Sequence, residues 1–171
     1  MKCAVLCNGP SRIAYTPNKE YEFVLGCNVP WTKVDATVVL DKQLIEVWNK
    51  NRPLINVPVY FSTQAWASAS QLDKDFFEQY FAGTLITDPQ YHSSGHNAVE
   101  VVIKKGFTHI DIYGCDAYFD TTKFDSYTRS VISMSSPNYE LRNAQRMVGW
   151  KIRWKQMIEN HPTVKLNFIR K

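Results

Sequence analysis

The sequence predicts a single α/β domain, a three-layer sandwich built on a mostly parallel sheet. Three observations carry this. Short, fully apolar runs alternate along the chain with segments of helical period, the pattern of strands joined by crossover helices. Several of those runs stop at a small residue followed by Asn or Asp. The 171 residues are 44% hydrophobic and 21% charged, with seven glycines and eight prolines. That composition suits one buried core and excludes disordered, collagenous and low-complexity chains.

Cys3-Ala4-Val5-Leu6-Cys7 is the first apolar run, closed by the turn residues Asn8-Gly9-Pro10-Ser11, and reads as a strand buried on both faces. Glu22 to Cys27 and Ala36 to Leu40 read as the second and third strands, ending at Asn28 and Asp41. Residues 42–50 place Leu44, Ile45 and Trp48 on one side of a helix. Val57 to Phe61 is a fourth strand, stopped by Ser62-Thr63. Phe76, Phe77, Tyr80 and Phe81 recur at helical spacing in 73–82 and read as core, and Thr84 to Ile86 reads as a short strand. After the loop 88–95, a helix over about 96–105 buries Ala98, Val101 and Val102 and ends at Gly106. His109 to Tyr113 is the next strand, ending at Gly114-Cys115-Asp116. Residues 117–138 have no clear period and read as a loop or lid. The longest helix follows over 140–159, with Leu141, Ala144, Val148 and Ile152 expected in the core, and Val164 to Ile169 is the last strand. With no repeat or linker, residues 1–171 form one Rossmann-like domain.

No apolar run reaches the ~18 residues of a membrane helix, and the N-terminal run is too short for a secretion signal. The expected location is therefore the cytoplasm, with the four cysteines reduced. The net charge of +4 is unevenly spread, since residues 140–171 hold eight basic and two acidic side chains. An anionic partner is expected to meet that segment. The modest total disfavours nucleic acid, and the oligomeric state is left open.

In open parallel sheets ligands bind beyond the carboxyl ends of the strands. Asn8, Asn28, Asp41 and Asp116 all fall there, where their side chains can bond bases, sugars and hydroxyls. Each is also an ordinary turn residue. The first loop matches neither G-x-x-x-x-G-K-[ST] nor G-x-G-x-x-G, so a P-loop and the common dinucleotide site are disfavoured. Ser93, Ser94 and Gly95 precede a helix, where hydroxyls and free N–H groups suit a phosphate or serve simple capping.

These residues resemble a family. Asn8-Gly9-Pro10-Ser11 after the first strand is similar to the N-G-P-S signature of bacterial sialyltransferases that use CMP-sialic acid. Gly26-Cys27-Asn28 resembles their second asparagine site, and Asp41 falls at a third polar position. Ser93-Ser94-Gly95, Ala98, Gly106 and Gly114-x-Asp116-x-Tyr118 resemble their S-G…A…G…G-x-D-x-Y stretch. The same scaffold occurs in small phage proteins, which would act in a bacterial host cell, and in archaeal hydroxymethylpterin pyrophosphokinases. The resemblance implies a nucleotide or nucleotide-sugar site of CMP type. Asn8, Gly9, Pro10, Ser11, Asn28 and Ser94 would contact nucleotide or sugar-phosphate. Gly114 and Asp116 would line the cytidine and ribose pocket, and Tyr118 would hydrogen-bond the leaving phosphate. Glycosyl transfer is the implied reaction.

The family's general-base histidine has no counterpart, because no histidine lies between Ile110 and Asn160. His96 is then the candidate base or phosphate contact, with Asp125 and water as substitutes. Tyr127 is a loose match to the family's second tyrosine. Two alternatives follow. One is ATP-dependent diphosphate transfer, with Mg²⁺ held by Asp41 and Asp116. The other is a non-catalytic phage-type binder. His92 and His96 stand four apart but lack the Glu of H-E-x-x-H, so no metal is assigned. Arg142, Arg146 and Arg153 fall within about 40° on the last helix, a stripe suited to phosphate or to solvent. Cys7, Cys27 and Cys115 all sit at strand ends and read as small hydrophobes.

Overall fold

The computed structural model describes residues 1–17, 20–50, 55–89, 92–121, 126–128 and 139–170, with side chains undescribed at 49–50 and 139–142. Six strands form one sheet: β1 (Lys2–Leu6), β2 (Phe23–Cys27), β3 (Ala36–Val39), β4 (Val59–Phe61), β5 (His109–Tyr113) and β6 (Lys165–Ile169). Their order is β4-β3-β2-β1-β5-β6, and all five pairings are parallel. The helices are α1 (Lys42–Lys50), α2 (Thr63–Ser68), α3 (Gln71–Phe77), α4 (Ser94–Lys104) and α5 (Tyr139–Asn160), with short 3₁₀ turns at Pro10–Ala14, Glu78–Tyr80 and Asp116–Tyr118.

Strand alternation separates the two faces. Cys3, Val5, Leu25 and Val38 point to the side covered by α4 and α5, packing on Ala98, Val102, Trp154 and Met157. On the other side, Val39, Val59 and Phe61 meet Leu44, Ile45 and Trp48 of α1 and Phe77 of α3. The same side of β1 carries Ala4 and Leu6, covered by the aromatic rings of Tyr15, Tyr21 and Trp31 rather than by a helix. The chain steps outward from β1 through β4, then crosses to β5 on the other flank of β1. A crevice therefore opens between β1 and β5 at their carboxyl ends.

Four local expectations change. Ser62 does not merely stop β4: its Oγ accepts from Ala65 N at 3.0 Å and caps α2, which the sequence reading did not separate from the strand end. Helix α3 starts earlier than 73 because Ser70 Oγ accepts from Asp73 N, and it tightens to 3₁₀ at Glu78–Tyr80. Thr84 to Ile86 is not a strand; Ile86 makes a single bridge to Ser62. The largest correction concerns α5. Val148 and Ile152 are 54% and 52% exposed, whereas Met147, Trp154 and Met157 are buried. Two apolar stripes compete for the sheet, and the one with the larger side chains removes more apolar surface from water. Most of the expected lid, including Asp125, lies outside the described residues.

Candidate functional site

The loops after β1 and β5 are fastened to each other. Cys7 N donates to Tyr113 O and Gly9 N to Gly114 O, both at 2.8 Å. Glycine is required at both contacts. A Cβ on Gly9 would run into Asp116 Oδ2 and stand 2.5 Å from Gly114 O. Gly114 has φ +70°, and a Cβ there would stand 2.5 Å from Cys7 O. Asp116 Oδ2 accepts from Ser11 N at 3.0 Å and from Ser11 Oγ at 2.9 Å. Ser11 and Pro10 thus shape the 3₁₀ turn and orient Asp116 without lining the cavity.

A cavity of about 460 Å³ opens at this edge. It gathers Asn8, Gly9, Asn28, Asp41, Ser93, Ser94, Gly95, Gly114, Asp116 and Arg146 from separate parts of the sequence. Asn8 is 8% exposed; its Nδ2 donates to Cys27 O at 2.7 Å, and its Oδ1 is buried without a partner. Asn28 takes a left-handed conformation, φ 58°, while its N–H donates to Val38 O and its carbonyl accepts from Thr37 Oγ1, each at 2.8 Å. That turn brings the residue to the cavity wall. Asp41 Oδ1 accepts from Gln43 N at 2.8 Å, so the residue caps α1 and borders the cavity together. Arg146 has no hydrogen bond or ion pair among the described residues. It reaches the cavity because the arginine stripe flanks the stripe of Met147, Trp150, Trp154 and Met157 at about 80° rather than opposing it. The Arg142 side chain lies outside the described residues.

Two further expected residues, His96 and Tyr118, also lie outside the lining. His96 is fully buried, with its ring stacked on Trp154 at 3.9 Å. Its Nδ1 accepts from Ser93 N at 2.9 Å, and Nε2 pairs with Trp150 O at 3.1 Å, which assigns the proton to Nε2. It occupies the third helical position of α4, where Glu or Gln usually closes a capping box. Burial, then the charge of His92, lowers its pKa to about 3, so the ring is neutral and both nitrogens are occupied. Tyr118 lies flat on Phe168, with ring centroids 3.8 Å apart and planes 9° apart, and does not line the cavity.

From the sequence alone His92 has no ligand role. It lines the cavity, its Nδ1 is buried without a partner, and burial lowers its pKa. Asp88 also lines the wall; its Oδ1 accepts from Asn97 Nδ2 at 3.1 Å, and burial raises its carboxyl pKa. Trp150 and Trp154 enter from α5. Their signal was the Met147, Trp150, Trp154 spacing, hidden behind the competing aliphatic stripe. Among the described residues, no group of three His, Cys, Asp or Glu is placed to hold a metal ion by itself. No helix among them is long and apolar enough to cross a membrane.

No family model matches the chain, and no curated protein does. Among solved structures it is similar to a probable thiamine pyrophosphokinase from Staphylococcus saprophyticus subsp. saprophyticus, at 12% identity and a TM-score of 0.36. The match covers 99% of this chain and 65% of that one, so the chain spans less than two thirds of it. A likeness of that size transfers no activity. None of the comparisons returns the sialyltransferase resemblance.

Proposed function

We propose that the chain binds a nucleotide in the crevice between β1 and β5, with the ribose or base against Asn8 and Asp116 and the phosphates between the N-terminus of α4 and Arg146. The observation that carries this reading is Asn8, a residue of the cavity wall whose buried Oδ1 has no hydrogen-bond partner. A buried acceptor left unsatisfied costs about 1–3 kcal/mol. Cys27 O fixes the amide, since flipping it would set two oxygens against each other. The ligand atom at Oδ1 must therefore donate, as a ribose hydroxyl or a base amino group does. A phosphate oxygen does not. The anionic end has its own place, where the first N–H groups of α4 lack intrahelical partners and Arg146 lines the cavity with no ion pair among the described residues. The cavity volume falls within the ~300–1,000 Å³ of small-molecule sites.

For the reaction, diphosphate transfer from ATP is favoured over glycosyl transfer by a specific arrangement. Asp41, Asp88 and Asp116 border the same cavity as Arg146, while Tyr118 and His96 lie outside its lining. Carboxylate oxygens are the donors Mg²⁺ takes, usually one or two together with substrate phosphates. Asp41 and Asp116 would hold it, and the ion would neutralise phosphate charge. Calorimetry against CMP, CDP, UMP, ATP and GTP, with and without Mg²⁺, tests both readings. Binding of at least one nucleotide is expected, and ATP binding that requires Mg²⁺ selects phosphate transfer. No heat with any nucleotide at millimolar concentration overturns the proposal.

A further inference from the structure

The cavity wall holds a histidine to which nucleotide binding as described gives no part. His92 lines the cavity half-buried, and its backbone N–H donates to Pro89 O at 3.2 Å, closing a turn just ahead of α4. Its ring stands against that of His96, with centroids 5.1 Å apart. The two imidazoles differ in what they are free to do. Both nitrogens of His96 are held, one by Ser93 and one by Trp150 O. Neither ring nitrogen of His92 has a hydrogen-bond partner among the described residues, and its Nδ1 is buried. Next to it, Ser93 N donates to His96 Nδ1 and Asn97 N to Ser93 O. The N–H groups of Ser94 and Gly95, both residues of the cavity wall, have no partner among the described residues.

We propose that His92 is a proton-coupled anion ligand of the cavity: its imidazole bonds a phosphate oxygen of the bound molecule and takes up a proton as it does so. His92 plays this part where the phosphates lie at the N-terminus of α4, so the assignment rests on that feature of the nucleotide reading above. An ionised phosphate offers hydrogen-bond acceptors. A neutral imidazole donates through one nitrogen, and an imidazolium donates through both. An opposite charge within about 4–6 Å favours the charged form of the ring. In the free protein, burial and then the Arg153 guanidinium lower the His92 pKa, while Glu100 and Asp88 oppose the shift. Both carboxylates are engaged elsewhere. Glu100 Oε1 pairs with His161 Nε2 at 3.3 Å, and Asp88 Oδ1 accepts from Asn97 Nδ2 at 3.1 Å. His96, the remaining neighbour, is neutral. The ligand thus supplies the hydrogen-bonded negative charge that the protein does not give this ring.

The sign of the coupling follows. The ring's pKa is low in the free protein and raised in the complex, so binding draws one proton from solvent at any pH between the two values. Over that window anion affinity falls by up to about tenfold per pH unit as the pH rises. Above the bound-state pKa the ring is neutral in both states, and the coupling is gone.

The test is a pH titration of the ¹⁵N-labelled protein, following the histidine-ring signals alone, with inorganic pyrophosphate, and with ATP. Pyrophosphate has neither ribose nor base, so it reads the anion end independently of Asn8. At saturation the His92 pKa should rise by about one unit or more, with those of His109 and His161 unmoved. Backbone assignment or the variant His92→Gln identifies the signal. In calorimetry, His92→Gln should weaken pyrophosphate binding about tenfold at about pH 5.5 and only about twofold at about pH 8.5. The ligand's own titration cancels between the two proteins. Should the variant not fold, the wild-type ring titration decides alone. An unchanged His92 pKa while the Ser94 and Gly95 amides shift overturns the assignment and leaves nucleotide binding standing. A rise with pyrophosphate, together with no binding of any nucleotide, supports the assignment and overturns the nucleotide reading. No response of any cavity amide to either ligand overturns both.

Discussion

Asn8 does two jobs with one amide: its Nδ2 ties β1 to the end of β2 through Cys27 O, and its Oδ1 is left for a ligand. Asn8→Ala removes both, so nucleotide affinity should fall by roughly 5- to 150-fold, as expected for one hydrogen bond to a buried group. Titration calorimetry with the best-binding nucleotide measures this, and equal affinity in the variant would place the ligand elsewhere. Gly9→Ala should be worse than a lost hydrogen bond, because its Cβ would run into the Asp116 carboxylate that Ser11 holds. Binding should be lost below detection and the melting temperature lowered, both visible in a single thermal-shift series. Tyr118→Phe should leave nucleotide affinity within about twofold, since the ring packs on Phe168 outside the cavity lining.

The elements place these residues, and the sequence showed them unevenly. The central strands were legible because apolar runs such as Cys3–Leu6 and Val59–Phe61 leave little choice but burial on both faces. The convergence of Asn8, Asn28, Asp41 and Asp116 was legible for the same reason, since parallel strands put their carboxyl ends at one edge. What the sequence hid depends on partners distant along the chain. His96 reads as a candidate base until Trp154 is stacked on it and Trp150 O takes its Nε2–H. On α5, Ala144, Val148 and Ile152 form as regular a stripe as Met147, Trp154 and Met157, and only packing volume separates them. Trp154→Ala should therefore cost about 3–5 kcal/mol, whereas Val148→Ala and Ile152→Ala should each stay within about 0.5 kcal/mol. Chemical denaturation of the three variants checks this, and comparable losses in all three would restore the other face to the core.

The whole molecule's stability should depend on pH through the buried imidazole that joins α4 to α5. The His96 pKa is lowered in the fold to about 3, against 6.5 for a free side chain. The unfolded chain thus binds a proton that the folded chain refuses. The contribution of His96 is complete above about pH 6.5 and is lost as the pH falls toward 3, with a limiting slope of about 1.4 kcal/mol per pH unit. His96→Gln should flatten that part of the stability profile, and denaturant melts between pH 4 and 7 compare the two. Parallel slopes would show that the acid sensitivity comes from other groups.

The central claim is that the carboxyl edge of the sheet, at the β1/β5 crossover, is where the ligand sits. Amide chemical-shift mapping of ¹⁵N-labelled protein during nucleotide titration tests it most directly. The largest shifts should fall on Asn8, Gly9, Asn28, Gly95 and Gly114, which border the cavity, with Lys2, His109 and Lys165 at the opposite strand ends unmoved. Shifts concentrated at Lys2, His109 and Lys165, with the five cavity amides unchanged at saturation, would contradict the account.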